Sequence, residues 1–235
     1  MIFIQLWNER KSNVLIFLEL VVVSVFLWYA SDALYVQYRS FVRPLGFDIS
    51  NVYHVQLATV PVSSADYDTS AVHSRKGGGD FLAVYDRLAH HPQVEAVCYT
   101  AGNHFHYRGS NRFATFKKDS LVRHGYVRHV DPAYFRVFRV KTADGQSWET
   151  LTKALDENRV VVTGTVGTAF FGSAAKALNQ EIQITDQGDR DSVFYHVGAV
   201  CEPQRYSDFL DYDYAYYKPV GSREAIANSG DGLAN

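Results

Sequence analysis

The run VLIFLELVVVSVFLWYA, residues 14–30, holds seventeen almost wholly apolar residues broken by one carboxylate, Glu19. It can be a cleaved secretory signal, a single anchor, or the first span of a larger membrane protein. A signal peptide has a basic start, an apolar core of roughly 7–15 residues and a small-residue cleavage site. Arg10 and Lys11 provide the basic flank, but the apolar run is longer than that and resumes beyond Ser31 and Asp32 in "ALYV". At ~1.5 Å rise per residue, residues 14–36 reach about 34 Å, enough to cross a hydrocarbon core with tilt. The small residues of "SDA", 31–33, only approximate a cleavage site, and Trp28 and Tyr29 before them suit a membrane-water interface. A retained transmembrane helix over 14–36 is therefore expected.

Ahead of it, Phe3, Leu6, Trp7 and Arg10 fall at helical spacing, so residues 1–13 read as a short cytoplasmic amphipathic segment or as a frayed terminus. Arg10 and Lys11 on one flank balance Arg39 and Arg43 on the other. A cytoplasmic N-terminus is expected because everything after residue 44 reads as a folded outer domain. Glu19 carries the sharper meaning. A carboxylate at the centre of a membrane helix costs about 2.5–3.5 kcal/mol on insertion scales and usually faces protein or water. Glu19 is read either as a helix-helix contact or as a side chain that snorkels or takes up a proton.

The 235 residues suffice for one large or two small domains, and 47% hydrophobic with 14% aromatic residues is ample for a packed core. A formal charge of -2 leaves no global positive field for phosphates, and the runs "ERK" and "FKK" are too short to make a patch, so nucleic acid is not expected as a partner. Two cysteines, Cys98 and Cys201, exclude a disulfide-stapled scaffold and a four-cysteine zinc site; each sits in an apolar context and reads as a small buried hydrophobe, with one disulfide left open.

Beyond the span, residues 37–51 form a helical stalk that ends where Pro44 and Gly46 punctuate. "NVYHVQLA", 51–58, alternates Tyr53, Val55 and Leu57 with His54 and Gln56, which predicts a strand. Residues 63–79 are a polar loop. Then "DFLAVYDRLAHHPQVEAVCYT" predicts a helix, with Asp80 as cap, Phe81, Val84, Tyr85 and Leu88 on one face and Pro92 at the exit, followed by a strand. Further strands are expected over 112–117 and 125–130, then a short helix with Asp131 as N-cap and Pro132 at its first position. "RVVVTG" is a buried strand, "TVGTAFFG" a short helix closed by Gly172, and "EIQIT", "SVFYHVGAVCE" and "YDYAYYKP" are three more strands. Strands in runs with few helices predict an α+β domain.

Chemistry is hard to find. "HFH" puts His104 and His106 on one side of an extended chain, yet two ligands do not make a metal site, and His90 with His91 lie at a helix end. No phosphate loop, G-x-S-x-G elbow, H-E-x-x-H or C-x-x-C motif occurs. Asp208, Asp211 and Asp213 lack the spacing and turn glycine of a calcium loop and read as a solvated acidic segment. No catalytic residue, metal or cofactor is expected.

Five segments in series do resemble a known family. "LAVYDRLAHHPQVEAV" matches a helix-strand pattern, "YVRHVDPAYFRVF" a valine, serine-or-aspartate, proline, x, tyrosine, phenylalanine signature, and "RVVVTGTVGTAFFG" a strand and helix ending phenylalanine-glycine. "ALNQEIQI" and "FYHVGAVCEP" follow as the last two, and "LWNERKSNVLIFLELVVV" is similar to a cytoplasmic helix and first span. Together they resemble the MacB-like periplasmic core domain of FtsX-like ABC transporter permeases. The resemblance implies a multi-span bacterial inner-membrane permease with one large periplasmic domain after its first span. It would pair with a second permease subunit, be driven by a separate cytoplasmic ABC ATPase, and act on a peptide, lipoprotein, drug or outer partner protein.

The same resemblance implies two lobes: a membrane-proximal β-α-β lobe at 52–124, incomplete here, and an inserted distal lobe at 125–217, with 218–235 as a tail. Asp131, Pro132, Tyr134 and Phe135 match the signature as packing and capping residues. Two departures stand out. "ADGQSWET" replaces a glycine-arginine-x-phenylalanine turn, and no second apolar span occurs before Asn235, so a truncated chain or fragment is expected. The function implied is a non-catalytic permease subunit that couples cytoplasmic ATP hydrolysis to motion of the outer domain. Alternatives are a single-pass anchored binding or sensor domain and a secreted hydrolase.

Overall fold

The computed structural model describes residues 10–57, 60–61, 63–65, 77–100, 112–156, 158–188, 191–205 and 214–227. The chain divides into two units, Met1–Arg43 and Pro44–Asn235.

The first unit is one helix, α1, Arg10–Val42. Its stretch Val14–Val42 has a mean hydropathy of 2.3, and it is the one helix among the described residues long and apolar enough to cross a membrane. The helix does not break at residue 36. It absorbs the start of the expected stalk and stops just before Pro44, where the proline ring disfavours helical backbone in the residue ahead of it. Glu19 is exposed on this helix, among side chains such as Leu15, Val22 and Phe26 that are exposed as well.

The second unit is built on a closed six-stranded barrel. Its strands are β1 (Arg112–Lys118), β2 (Leu121–Val130), β3 (Arg159–Thr163), β4 (Glu181–Asp186), β5 (Val193–Cys201) and β6 (Ala215–Pro219), in the order β1-β2-β6-β3-β5-β4. The β1-β2, β1-β4, β4-β5 and β3-β6 pairs are antiparallel, whereas β2-β6 and β3-β5 are parallel. Among the described residues six helices accompany it: α2 (Gly77–Ala89), α3 (Tyr134–Val137), α4 (Trp148–Ala154), α5 (Gly164–Phe171), α6 (Ala174–Ala177) and α7 (Arg223–Ala227). This is the α+β class expected from the sequence. β1 pairs along its whole length with residues 121–127 of β2, and the 124/125 division between the expected lobes falls within β2.

Alternation along the strands separates two cores. Ala114, Phe116, Val127, Val160, Val162, Ile182, Ile184, Val197 and Tyr216 fill the barrel, and Val166, Phe170 and Ala177 from α5 and α6 join them. Val130, Val161, Ala199, Cys201 and Tyr217 form the opposite face of the same strands, which α3 and α4 cover with Tyr134, Phe135, Phe138, Leu151 and Ala154. Each large apolar side chain so buried contributes about 1.5–3 kcal/mol. A bulge between Val160 and Val161 skips Gly198 on β5, so Val197 and Val200 both face the interior while Ala199 and Cys201 face α3 and α4. Glycine fits there because a Cβ would lie 2.6 Å from the Ala154 carbonyl oxygen. One barrel rim carries an ion pair between Asp186 and Lys218, and the Tyr216 hydroxyl donates to the same carboxylate.

Three local expectations change. Residues 52–57 form no strand, and Tyr53, Val55 and Leu57 are all exposed: alternation alone cannot make a strand without a neighbour to take its backbone hydrogen bonds. Among the described residues 90–100 that follow α2, strand pairing is one antiparallel bridge, Thr100 to Val130. Asp80 lies in the first turn of α2 rather than at its cap, because the helix begins at Gly77. Gly172 does close α5, with φ of 81°.

Candidate coupling site

Two junctions in the second unit combine long-range polar contacts with core packing. The first is the segment that follows α1. Gly46 turns with φ of 74°, and a Cβ there would lie 2.1 Å from the Pro203 carbonyl oxygen, so the chain runs directly against residues 203–205. The Arg205 N–H donates to the Leu45 carbonyl at 3.0 Å. Phe47 then enters the outer core, with its ring edge-on to Phe138 at 6.4 Å. The Asp48 N–H donates to the Phe138 carbonyl at 2.9 Å, and Arg139 Nη1 donates to the Asp48 carboxylate at 2.6 Å.

The Ser50 backbone N–H, the Ser50 side chain and Arg139 hold the Asp48 carboxyl down to about 2. Arg139 itself has φ of 49°, left-handed backbone that costs a side-chain-bearing residue about 1 kcal/mol. It is held there because Phe138 and Val140 on either side are both in the core and its guanidinium is tied to Asp48. Within the second unit, residues 45–48 are thus held to Phe138, Arg139 and Arg205 by one aromatic side chain, two backbone hydrogen bonds and one ion pair.

The second junction is the end of β2. The Asp131 N–H donates to the Tyr99 carbonyl at 3.0 Å, and its own carbonyl accepts from Tyr134 at 2.9 Å. Its Oδ1 accepts the Ala133 N–H at 2.7 Å, and its Oδ2 accepts the Tyr85 hydroxyl at 3.0 Å. Tyr85 and Phe81 both meet Tyr99 edge-on, at 5.3 and 5.6 Å. Arg223 of α7 grips both carboxylate oxygens of the neighbouring Asp86, at 2.8 and 2.9 Å, and its guanidinium lies 5.7 Å from the Tyr85 ring centre.

Burial pushes the Asp131 carboxyl above its ordinary value, against the opposing pull of the Ala133 N–H, the Tyr85 hydroxyl and Arg223. Burial and the Asp131 charge push the Tyr85 and Tyr99 phenols up in turn. A carboxyl raised on folding holds its proton longer in the folded state, so between 3.8 and the raised value the native protein binds more protons than the unfolded chain. Its stability falls with rising pH across that window and is flat above it. Urea unfolding of the wild type and of Asp131→Asn across pH 4–8 is expected to show this slope in the wild type only.

The signature residues fall around this second junction. Asp131 bonds the N–H two residues on, in an Asx turn, so the helix starts at Tyr134 rather than at Pro132. Pro132 is exposed in that turn, and its carbonyl accepts the Thr152 hydroxyl at 2.9 Å. Tyr134 and Phe135 are fully buried in the outer core. Glu19 lies on α1, in the other unit. Sequence reasoning passes over Gly46, Phe47, Asp48, Arg139 and Arg223. Only Gly46 left a signal, and it read as punctuation.

Both cysteines are free, and burial pushes both thiols up, so neither is a ready thiolate at neutral pH. Among the described residues no three His, Cys, Asp or Glu side chains are grouped to share a metal ion. His104, His106, Asp208, Asp211 and Asp213 lie outside the described residues.

The fold has solved counterparts. The chain is similar to the periplasmic region of MacB from Actinobacillus actinomycetemcomitans, at 12% identity and a TM-score of 0.38, covering 59% of this chain and 54% of that one. It is similar to a domain of a permease protein from Porphyromonas gingivalis, at 13% identity and a TM-score of 0.38, covering 61% and 52%. A third is the extracellular domain of the noncanonic ABC-type transporter YknZ from Gram-positive bacteria, at 12% identity and a TM-score of 0.37, covering 57% and 59%. The chain spans about half the length of these structures. No family model and no curated protein matches the chain.

Proposed function

We infer that the chain is the N-terminal part of a non-catalytic permease subunit of an ABC transporter, held in the bacterial inner membrane by α1 with the second unit in the periplasm. A cytoplasmic ABC ATPase supplies the work, a second permease subunit completes the assembly, and the outer domain acts on a peptide, lipoprotein, drug or outer partner protein. The observation that carries this reading is the clamp of residues 45–48. A domain that merely floated on an anchor would be served by a slack linker, whereas here the chain leaving the apolar helix is fixed within three residues of Pro44 to the core of the outer domain. Displacement of that segment is displacement of the barrel. Asp131, Pro132, Tyr134 and Phe135 serve this reading as capping and packing residues that keep the barrel's cover rigid, and Glu19 as a contact for neighbouring spans.

The test is co-purification from bacterial membranes with an ATPase that carries a phosphate-loop motif, followed by ATP hydrolysis of that pair in nanodiscs. The expected result is hydrolysis that changes several-fold when the chain is present, with that change abolished in Phe47→Ala. A chain that purifies alone while its outer domain binds a small ligand would instead establish the anchored sensor.

A further inference from the structure

Residues 203–205, against which Gly46 turns, follow β5 directly, and the Glu202 N–H ahead of them donates to the Lys141 carbonyl at 3.0 Å. Beyond Glu202 the segment meets two different parts of the fold. Its backbone receives the clamp: a Cβ at Gly46 would lie 2.1 Å from the Pro203 carbonyl oxygen and 3.2 Å from the Gln204 Cα, and the Arg205 N–H donates to Leu45. Its one fully buried side chain reaches the barrel: Gln204 is 2% exposed, and its Oε1 accepts the Tyr217 hydroxyl at 2.8 Å.

Tyr217 lies on β6, where it pairs with Arg128 of β2 and Val161 of β3, and it has no exposed surface. Its ring meets Phe135 at 5.4 Å and Tyr134 at 5.9 Å. One side chain thus has two uses: the ring packs on α3, and the hydroxyl holds the segment that receives Gly46. A buried amide costs free energy unless it is bonded, so the bond to Tyr217 confines Gln204 to one position, as an apolar residue of similar size would not. Phe47 and Asp48 bind Phe138 and Arg139 and so reach the cover of the barrel, whereas Gln204 reaches its wall. We propose that Gln204 is a positioning residue: its bond to the Tyr217 hydroxyl sets the seat on which Leu45 and Gly46 rest and joins that seat to β6. Movement of residues 45–48 then passes into the strand that closes the barrel. The seating stands on the contacts alone, and its use in coupling rests on the permease reading.

Tyr217→Phe removes the hydroxyl and keeps the ring, which separates the two uses. Hydrogen exchange of the full chain in detergent micelles, read by mass spectrometry, is expected to show the Arg205 and Asp48 amides exchanging about tenfold faster, the scale of one neutral hydrogen bond lost. The Val140 amide, bonded to the Phe135 carbonyl, and the amides of β4 keep their rates. Gln204→Met is expected to do the same, and the two changes together no more than either alone, because they remove one bond. Unchanged Arg205 and Asp48, an equal rise at Val140 and β4, or effects that add in the double variant would each overturn the assignment. In nanodiscs with the partner ATPase, Tyr217→Phe is expected to cut the change in hydrolysis several-fold. A wild-type response that Tyr217→Phe leaves intact overturns the coupling role, whereas a wild type without response refutes the permease reading and leaves the exchange rates to decide the seat.

Discussion

Phe135→Ala is expected to cost the second unit about 3–5 kcal/mol, in line with aromatic-to-alanine changes at fully buried sites. Phe135 has no exposed surface, and its ring meets Tyr217 at 5.4 Å and Tyr134 at 5.7 Å. Tyr134 in turn packs on Phe138 at 4.7 Å, so the cavity opens at the centre of an aromatic cluster that ties α3 to β6. Backbone on both sides prevents collapse, since Phe135 also accepts the Val140 N–H at 3.0 Å. Urea unfolding of the full chain in micelles is the measurement, with a midpoint lowered by about 1–2 M. Phe194→Ala is the control: that ring is 61% exposed on β5, and its loss is expected to change stability by less than about 0.5 kcal/mol. Equal effects at the two positions would mean that aromatic content, not burial, sets the response.

Gly46→Ala is expected to be nearly as damaging, for a different reason. The new Cβ meets a backbone carbonyl oxygen 2.1 Å away, which cannot rotate aside, and left-handed backbone at φ of 74° disfavours alanine by a further 1–2 kcal/mol or so. The segment must lift from residues 203–205. Lifting exposes Phe47, a loss of about 1.5–3 kcal/mol, and breaks the Leu45 and Asp48 backbone hydrogen bonds, each worth about 0.5–1.5 kcal/mol. Because a freed segment regains chain entropy, the net expectation is about 2–4 kcal/mol. The barrel interior has no part in the clamp and should remain formed. In the permease reading the variant inserts and accumulates normally but no longer alters ATP hydrolysis. Retained coupling would show that the clamp does not carry the motion.

Much of the fold was legible because it is written locally. "RVVVTG", "EIQIT" and "SVFYHVGAVCE" are apolar or alternating runs whose strands appear where expected, and Gly172 announces the end of α5. Closure was not legible. It depends on β6 entering between β2 and β3, with Tyr126 pairing Ala215 and Val161 pairing Tyr217 across long stretches of chain that no local pattern encodes. "NVYHVQLA" misled for the same reason, since a strand is a relation between two segments. Asp131 read as an N-cap but closes an Asx turn, and its partner Tyr85 lies 46 positions earlier; Asp48 and Arg139 are 91 apart. A sequence shows which residues can make such bonds, and the fold selects which of them do.

The place of β6 also sets an order on the chain's birth. β2 and β3 cannot be neighbours until residues 215–219 arrive to lie between them, so everything from 112 onward must wait as an open sheet while the chain emerges N-terminus first. Non-local pairing of this sort folds slowly and leaves unpaired edges exposed to other chains. A ribosome or translocon that stalls before residue 219 therefore releases an unclosed, aggregation-prone sheet, and chaperones and proteases would meet this protein chiefly in that interval.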